Sequence, residues 1–349
     1  MNCFRHLIAA ALTLAVMQAH AQDNQALIYQ EGEEHEATIS QSGSAGFAEI
    51  AQTGGGRNLA AIEQAGDQNS SAVDQYWAER SEAQTLQGGT GNEAVVWQGG
   101  ELFTAHIDQN GDSNNAWVGQ SFRNSEAHIA QLGDFNDARI SQNGSVLRAS
   151  ITQEGLSHSA LIEQGQYYGL KWAEIEQSGD NHVAAIYQPD VGPNHAYIYQ
   201  AGSAHTAEIT QTLGESLGGD NLAVIRQDGF GHISRVSQSD ENNNADIAQS
   251  GDEHNTTITQ GGRSHSATID QQGWLNTALS AQVGDNNSVL IDQNGERNLA
   301  QVAQAGSQLE AIISQTGSDH QAYITQGLAG NQATVTQLGV ANLATISQQ

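Results

Sequence analysis

The stretch QNGERNLAQVAQAGSQ, residues 293–308, decides the fold of this chain. Counting from its first Gln, a Gly stands two residues on, an Asn five, an Ala seven and a second Gln eleven, at Gly295, Asn298, Ala300 and Gln304. A fixed spacing of this kind is the signature of a repeat architecture. The question is therefore how far the repeat extends and which element it builds.

The eleven-residue spacing continues along almost the whole chain. About 29 units follow one another, interrupted by small insertions such as those after Gln164 and Gln211, which we expect to form loops at one edge. The unit Gln residues align in one register, and we predict that they form a ladder in the core. The ladder includes Gln64, Gln75, Gln98, Gln109, Gln131, Gln142, Gln153, Gln249, Gln271, Gln293, Gln304, Gln315 and Gln337.

Each unit carries the alternating pattern Ala-x-Ile-x-Gln, as at Ala37, Ile39 and Gln41. In a β-strand, residues i, i+2 and i+4 point to the same face. We therefore expect Ala, Ile and Gln to point inward together, with Ile129 and Ile151 in the same position as Ile39. The residues between them are mostly polar or small and face outward.

After each unit Gln comes x-Gly-x-x-Asn, which is typical of a tight turn. Gly permits a positive φ, and Asn either tolerates a positive φ or bonds to the local backbone. The turn residues predicted in this way include Gly66, Gly133, Gly295, Asn58, Asn69, Asn136, Asn298 and Asn342.

A strand of five residues cannot bury its face alone, so two units form one coil and successive coils stack at about 4.8 Å. The predicted fold class is all-β: a β-solenoid of about 14 to 15 two-strand coils, with two facing parallel sheets and cross-β stacking. Stacked Gln side chains would bond to one another, as buried amides require. The rod would be roughly 70 Å long.

The amino-acid composition limits the functions that the chain can have. Aromatic residues make up 5% of the chain, and the net charge is -28 with only 11 Lys and Arg. Such values favour disorder, but the apolar residues are spaced regularly rather than diluted. Nucleic acid is not expected as a partner, because phosphate binding needs a basic face.

The first residues have the pattern of a signal peptide. Arg5 precedes an apolar stretch at residues 7–17, and Ala-His-Ala at 19–21 is typical of a cleavage site. We expect cleavage after Ala21, a short leader at 22–25 and the repeat domain at 26–349. The only Cys, Cys3, would be removed, and no later stretch predicts a transmembrane segment.

Eight of the 13 His residues lie six positions before a unit Gln, where Asn is usual, so we interpret them first as substitutes for the turn Asn. Five belong to alternate units in succession and would form one column with rings about 4.8 Å apart. Protonating one ring would oppose protonation of its neighbours, so we expect lowered pKa values and central coils that loosen in acid. This His column is His158, His182, His205, His232 and His254.

The first and last units leave sheet edges without a capping segment. The first unit, ALIYQ at 26–30, follows closely on the expected cleavage site, and the last, ATISQQ at 344–349, stands at the end of the sequence. Monomeric solenoids blunt such edges with caps, Pro or charge. We therefore expect edges that can template a second copy.

The pattern Gln-x-Gly-x-x-Asn-x-Ala-x-x-x-Gln resembles the curlin repeat of bacterial curli fibres, and the likeness covers residues 26–348. It implies a functional amyloid that builds biofilm matrix and mediates adhesion on a fimbrium-like fibre at the cell surface. The implied partners are further copies of the chain, a nucleating paralogue and outer-membrane secretion machinery. The chain departs from curlin major subunits in having about three times as many units, and in carrying only QDNQ at 22–25 where they carry a longer Gly/Asn-rich leader.

Other functions receive less support from the residues. No nucleophile elbow, phosphate-binding glycine loop or metal-ligand cluster outside the repeat is apparent, so no enzyme, cofactor or metal site is predicted. A monomeric or cell-bound β-solenoid adhesin remains the alternative. Outward carboxylates are expected to slow association by repulsion, so that acid would speed assembly; they include Glu174, Glu176, Asp246, Asp270 and Asp292.

Overall fold

The computed structural model of the chain describes residues 23–166, 169–190, 192–212 and 220–349. Over these residues every element is a β-strand, and no helix that could cross a membrane is found among them. The strands are β1 Gln25–Glu33, β2 Glu36–Ser42, β3 Phe47–Gly56, β4 Leu59–Asp67, β5 Ser70–Tyr76, β6 Glu82–Thr90, β7 Glu93–Glu101, β8 Thr104–Asp112, β9 Asn115–Arg123, β10 Glu126–Asp134, β11 Asp137–Ser145, β12 Leu147–Leu156, β13 Ser159–Gln166, β14 Lys171–Asp180, β15 Val183–Gln188, β16 Asn194–Ser203, β17 Thr206–Thr212, β18 Asn221–Phe230, β19 Ile233–Glu241, β20 Asn244–Asp252, β21 Asn255–Arg263, β22 Ser266–Trp274, β23 Thr277–Asp285, β24 Ser288–Glu296, β25 Leu299–Ser307, β26 Glu310–Ser318, β27 Gln321–Ala329, β28 Gln332–Val340 and β29 Leu343–Gln348.

Successive strands alternate between two parallel sheets. The odd-numbered strands form a 15-stranded sheet, here sheet A, and the even-numbered strands form a 14-stranded sheet, here sheet B. Identical unit positions pair across neighbouring coils: in β10 and β12, Ile129 lies opposite Ile151 and Gln131 opposite Gln153. The predicted fold class, a β-solenoid of two parallel sheets built from eleven-residue units, is confirmed.

The core is a narrow layer between the two sheets. Ile129 and Ile151 have no exposed surface, and the Ala two residues before each is buried as well. Ile39 is only partly buried because β2 is the first strand of sheet B. Where Ser71 replaces Ala and Thr85 replaces Ile, their hydroxyls bond to each other at 2.7 Å, so the two polar substitutions satisfy one another.

The two lines of turns differ. Turns from sheet A to sheet B form the A-to-B edge, and turns in the other direction form the B-to-A edge. All intervals longer than eleven residues between unit Gln residues fall on the A-to-B edge, after Gln52, Gln75, Gln164, Gln188 and Gln211. The predicted loops after Gln164 and Gln211 include residues 167–168 and 213–219, which lie outside the described residues.

In a turn such as the one after Gln64, two different residues have a positive φ, which corrects one reading of the predicted Asn. Gly66 has a φ of 113°, and a Cβ there would lie 2.0 Å from the carbonyl oxygen of Gly89 on the next coil. The second left-handed residue is not the Asn but the residue before it, such as Arg57 or Gln68. The Asn is therefore selected for its hydrogen bonds rather than for its tolerance of a positive φ.

Candidate functional site: side-chain ladders and open edges

The unit Gln residues form two continuous amide ladders, one in each sheet. Gln131 is representative: its Nε2 donates to Oε1 of Gln153 at 2.9 Å and to the backbone oxygen of Asn115, in the facing sheet, at 3.0 Å. Its own Oε1 accepts from Gln109 at 2.8 Å. The structure places every Gln assigned to the core ladder in one of these two ladders, and each is at most 5% exposed.

The ladders have a direction. Each amide nitrogen donates to the oxygen of the next coil toward the C-terminus, as from Gln30 to Gln52 and from Gln41 to Gln64. The oxygens of Gln30 and Gln41 are thus acceptors at the first coil. At the last coil, Gln337 and Gln348 each donate one amide hydrogen to a backbone oxygen, which leaves the second for a coil beyond.

The predicted turn Asn residues form a second kind of ladder. Asn136 lies on the B-to-A edge, where its Oδ1 accepts the backbone N–H of His158 on the next coil at 3.0 Å. Its Nδ2 donates to the oxygen of Gly155. Asn69, Asn298 and Asn342 occupy the same edge, whereas Asn58 lies on the A-to-B edge and donates to Ala78. In interior coils both ends of these short amides are therefore used between coils, whereas Nδ2 of Asn342, in the last turn, donates to Leu338 in the same turn.

The five His of the column lie in this same position, stacked face to face along the B-to-A edge. The ring centroids of His158, His182, His205, His232 and His254 are separated in turn by 4.9, 4.9, 4.7 and 4.9 Å, with interplanar angles of at most 5°. All five residues are buried.

The hydrogen bonds fix the tautomer of these rings. Nδ1 of His182 accepts the backbone N–H of His205 at 3.2 Å, and Nε2 lies 3.0 Å from the carbonyl oxygen of Ser178. A nitrogen that accepts from an N–H carries no proton, so the ring is neutral with its hydrogen on Nε2. Each imidazole thus copies the acceptor and donor of an Asn amide.

Burial lowers the pKa of all five His, to about 4 for His182 and His205. Repulsion from neighbouring rings adds to this effect at His182, His205 and His232 but is smaller than burial. The direction agrees with the sequence-based expectation, but the main cause is burial rather than mutual repulsion. Nearby carboxylates, including Asp180, Asp228 and Asp252, act in the opposite direction.

The other three His residues that stand six positions before a unit Gln, in the Asn position, are separate from the column. His320 lies on the same edge, two coils beyond Asn276, while His265 lies on the A-to-B edge. His35, on the first turn, has both ring nitrogens buried without a hydrogen-bond partner. His265 and His320 still act as substitutes for the turn Asn, because Nδ1 of each accepts a backbone N–H of the next coil, from Asn287 and Asn342 respectively. His35 makes no such ladder bond.

One functional residue in the Asn position was missed by sequence reasoning. Lys171 occupies the Asn position on the A-to-B edge, is 2% exposed and donates to the backbone oxygens of Gly165 and Gln188, the latter at 2.8 Å. Burial lowers its pKa to about 8. The sequence does contain a signal for this residue. Lys171 stands six residues before Gln177, in the Asn position, and a charged side chain in that position must be buried.

Outward carboxylates lie beside one another in sheet B. Asp270 and Asp292 are neighbours in sheet B, and burial followed by repulsion from Asp270 raises the pKa of Asp292. Burial is also the main cause that raises the pKa of Glu174 in the same sheet, and interaction with Glu176 raises it further. Within the part of the chain described here, no three His, Cys, Asp or Glu side chains are grouped to hold a metal ion.

Stacked coils with continuous side-chain ladders and open edges define a β-solenoid repeat protein. The curlin-associated repeat matches seven segments that together cover about half of the chain: residues 21–54, 104–133, 123–155, 133–165, 241–273, 266–295 and 295–327. The chain belongs to this family, which is structural rather than enzymatic. No curated protein shows significant similarity to the chain.

Proposed function

We propose that the chain is the structural subunit of an extracellular, curli-like amyloid fibre, and that subunits join end to end through their open sheet edges. The observation that carries this proposal is the state of the first and last coils. β1 and β2 at one end, and β28 and β29 at the other, have the same core pattern as the interior strands, yet no strand of the described residues covers them.

The exposure of core positions at these edges supports the proposal. Ile28 and Ile39 at the first coil and Ile346 at the last are only partly buried, whereas Ile residues in interior coils have almost no exposed surface. An open edge that presents backbone groups and apolar side chains is a template for strand addition. Addition of a second copy buries these residues as the interior ones are buried.

The family supports an extracellular setting. In the proposed pathway the signal peptide at 1–21 is removed, residues 22–25 form a short leader and residues 26–349 form the fibre repeat. Outer-membrane secretion machinery exports the chain, and a nucleating paralogue starts the fibre. The fibre then contributes to biofilm matrix and adhesion.

The test uses residues 22–349, purified in denaturant and diluted into buffer. Assembly is followed by amyloid-dye fluorescence and sedimentation, with electron microscopy of the pellet. We expect fibres whose fragments shorten the lag phase of fresh chain. The matched control carries Ile28→Lys and Ile346→Lys, which place one charge at each open edge and should block growth while the interior coils stay folded.

A β-rich chain that remains monomeric at high concentration would contradict the fibre proposal. The alternative, a monomeric or cell-bound adhesin, would then gain support. Its binding surface would be sought on the outward face of sheet B, where Tyr199, Arg226 and Asp270 line a groove of about 720 Å³.

A further inference from the structure

The two open ends of the solenoid are not complementary when a second copy is added in the same orientation as the first. The described strands number 15 in sheet A and 14 in sheet B, so both the first strand, β1, and the last, β29, belong to sheet A. Consecutive strands are half a coil apart along the rod axis. The strand that continues the solenoid after β29 must therefore lie on β28, in sheet B.

A second copy placed in the same orientation cannot continue both sheets. If its β1 pairs with β29, its β2 lies two coil spacings, about 9.6 Å, from β28 instead of about 4.8 Å. A strand is then missing from sheet B at every joint. If its β2 pairs with β28 instead, its β1 occupies the position of β29 and the two strands clash.

We infer that successive subunits of the proposed fibre are related by a half turn about the rod axis, so that sheet A of one copy continues as sheet B of the next. The second copy's β1 then pairs with β28, and its β2 pairs with β29, both at the normal spacing. The inference rests on the proposed end-to-end growth and specifies its geometry.

The two sheets are similar enough to exchange places. Both have Ala, Ile and Gln at the same inward positions, as at Ile39 in β2 and Ile50 in β3. After the half turn, Val335 meets the second copy's Ile28, and Ile346 meets the second copy's Ile39. The core therefore crosses the joint without a change of pattern.

The hydrogen-bond ladders are also complementary across this joint. The unused amide hydrogens of Gln337 and Gln348 face the free oxygens of the second copy's Gln30 and Gln41. In the turn ladder, Oδ1 of Asn342 is placed to accept the backbone N–H of the second copy's His35. Joining two first coils instead would bring acceptor to acceptor, so growth is head to tail.

The turn that crosses the joint is completed by the start of the second copy. Asn24 stands six residues before Gln30, in the Asn position, and its Oδ1 accepts the backbone N–H of Gly46 at 2.7 Å. In the half-turn arrangement the second copy's Asn24 follows Asn331, which occupies the equivalent position between β27 and β28. The Asn ladder is thereby extended on the A-to-B edge as well.

Cysteine pairs distinguish the half turn from the unrotated joint. Residues 22–349 contain no Cys, and Ser40, Ser347 and Thr336 are exposed at the open ends. The half turn places Ser347 beside the second copy's Ser40, with Cα atoms about 4.8 Å apart, within disulfide range. An unrotated joint with β2 on β28 would instead place the second copy's Ser40 beside Thr336, and one with β1 on β29 would leave both pairs outside disulfide range.

The experiment compares fibres of S40C/S347C with fibres of S40C/T336C after mild oxidation, on non-reducing gels. We expect a ladder of covalent multimers from the first variant and single chains from the second. Within one chain these residues lie at opposite ends of the rod, so a covalent bond requires two copies. Equal sedimentation of both variants and of the parent chain verifies that they assemble.

Cross-linking of S40C/T336C alone, or of neither pair in fibres that seed growth, would overturn the half turn while leaving the fibre proposal intact. A parent chain that forms no fibres would overturn both. Multimers from S40C/S347C that disappear on reduction, with none from the control pair, would support the half-turn joint.

Discussion

At the scale of single residues, His and Asn are interchangeable in the turn ladder because they present the same two groups. Nδ1 of His254 accepts the backbone N–H of Asn276 at 3.1 Å, and Oδ1 of Asn276 accepts that of Asn298 at 2.9 Å. The difference is that only the imidazole can take up a proton as the pH falls below neutral. A proton on Nδ1 would face the N–H that it now accepts.

This difference predicts an acid-sensitive His column. The folded pKa values of His182 and His205, about 4, lie below the unfolded value of 6.5, so the unfolded chain binds more protons as the pH falls. Stability conferred by these residues is present above pH 6.5 and declines toward pH 4. Chemical unfolding of soluble chain, followed by circular dichroism at pH 7.5 and 5, should show this loss.

The control for this prediction is the double variant H182N/H205N, which retains the ladder bonds and every carboxylate. It should unfold like the parent chain at pH 7.5 and lose less stability at pH 5. An identical loss in both proteins would assign the acid effect to other groups.

The amide ladder predicts a large cost for removing one buried Gln. In Gln131→Leu, a hydrogen of Gln109 and the oxygen of Gln153 lose their partner, and each unsatisfied buried group costs about 1 to 3 kcal/mol. We expect the free energy of unfolding to fall by about 2 to 5 kcal/mol in denaturant titrations. Gln301→Leu, at an exposed outward position, should change it by less than about 0.5 kcal/mol.

At the scale of turns and strands, the stacked turn Gly residues are restricted both by their positive φ and by the close approach of the next coil. Gly133 has a φ of 112°, and a Cβ would lie 2.1 Å from the carbonyl oxygen of Gly155. We expect Gly133→Ala to lower the free energy of unfolding by about 2 kcal/mol or more. In Gly88→Ala, the added Cβ lies no closer than 3.4 Å to any atom and the φ is ordinary, so thermal unfolding should change little.

Much of this arrangement could be predicted from the sequence, because period-two alternation and an eleven-residue spacing determine which residues share a face. The alignment of Ile129 with Ile151 follows directly from them. The tautomer of His182 does not, since it depends on which backbone N–H of the next coil lies nearby. The left-handed residue before each Asn was also missed, because Arg57, Gln68 and their equivalents share no residue type.

The confinement of long turns to one edge predicts unequal tolerance of insertions. Two residues, Gly-Ser, inserted after Phe135 would displace Asn136 from its bonds to Asn114 and His158. The same insertion into the connection between β17 and β18, on the A-to-B edge, should cost less than about 1 kcal/mol. Thermal unfolding should separate the two variants clearly, and equal melting temperatures would contradict a structural difference between the edges.

At the scale of the whole molecule, charge opposes association. The net charge of -28 repels a second copy at low salt, and the repulsion is screened over about 10 Å at 0.1 M ionic strength. We expect the lag of fibre formation to shorten several-fold between about 0.01 and 0.15 M salt. Sodium and potassium chloride should act alike, and a lag independent of salt would mean that another step limits assembly.

The A-to-B edge gives this molecule a flank on which sequence can vary without disturbing the stacked coils. A peptide grafted between β17 and β18 would be carried once per subunit. With a half turn at each joint, the grafts would project from alternate sides of the filament at intervals of roughly 70 Å. The chain would then act as a molecular ruler, setting both the distance and the direction at which attached groups are displayed.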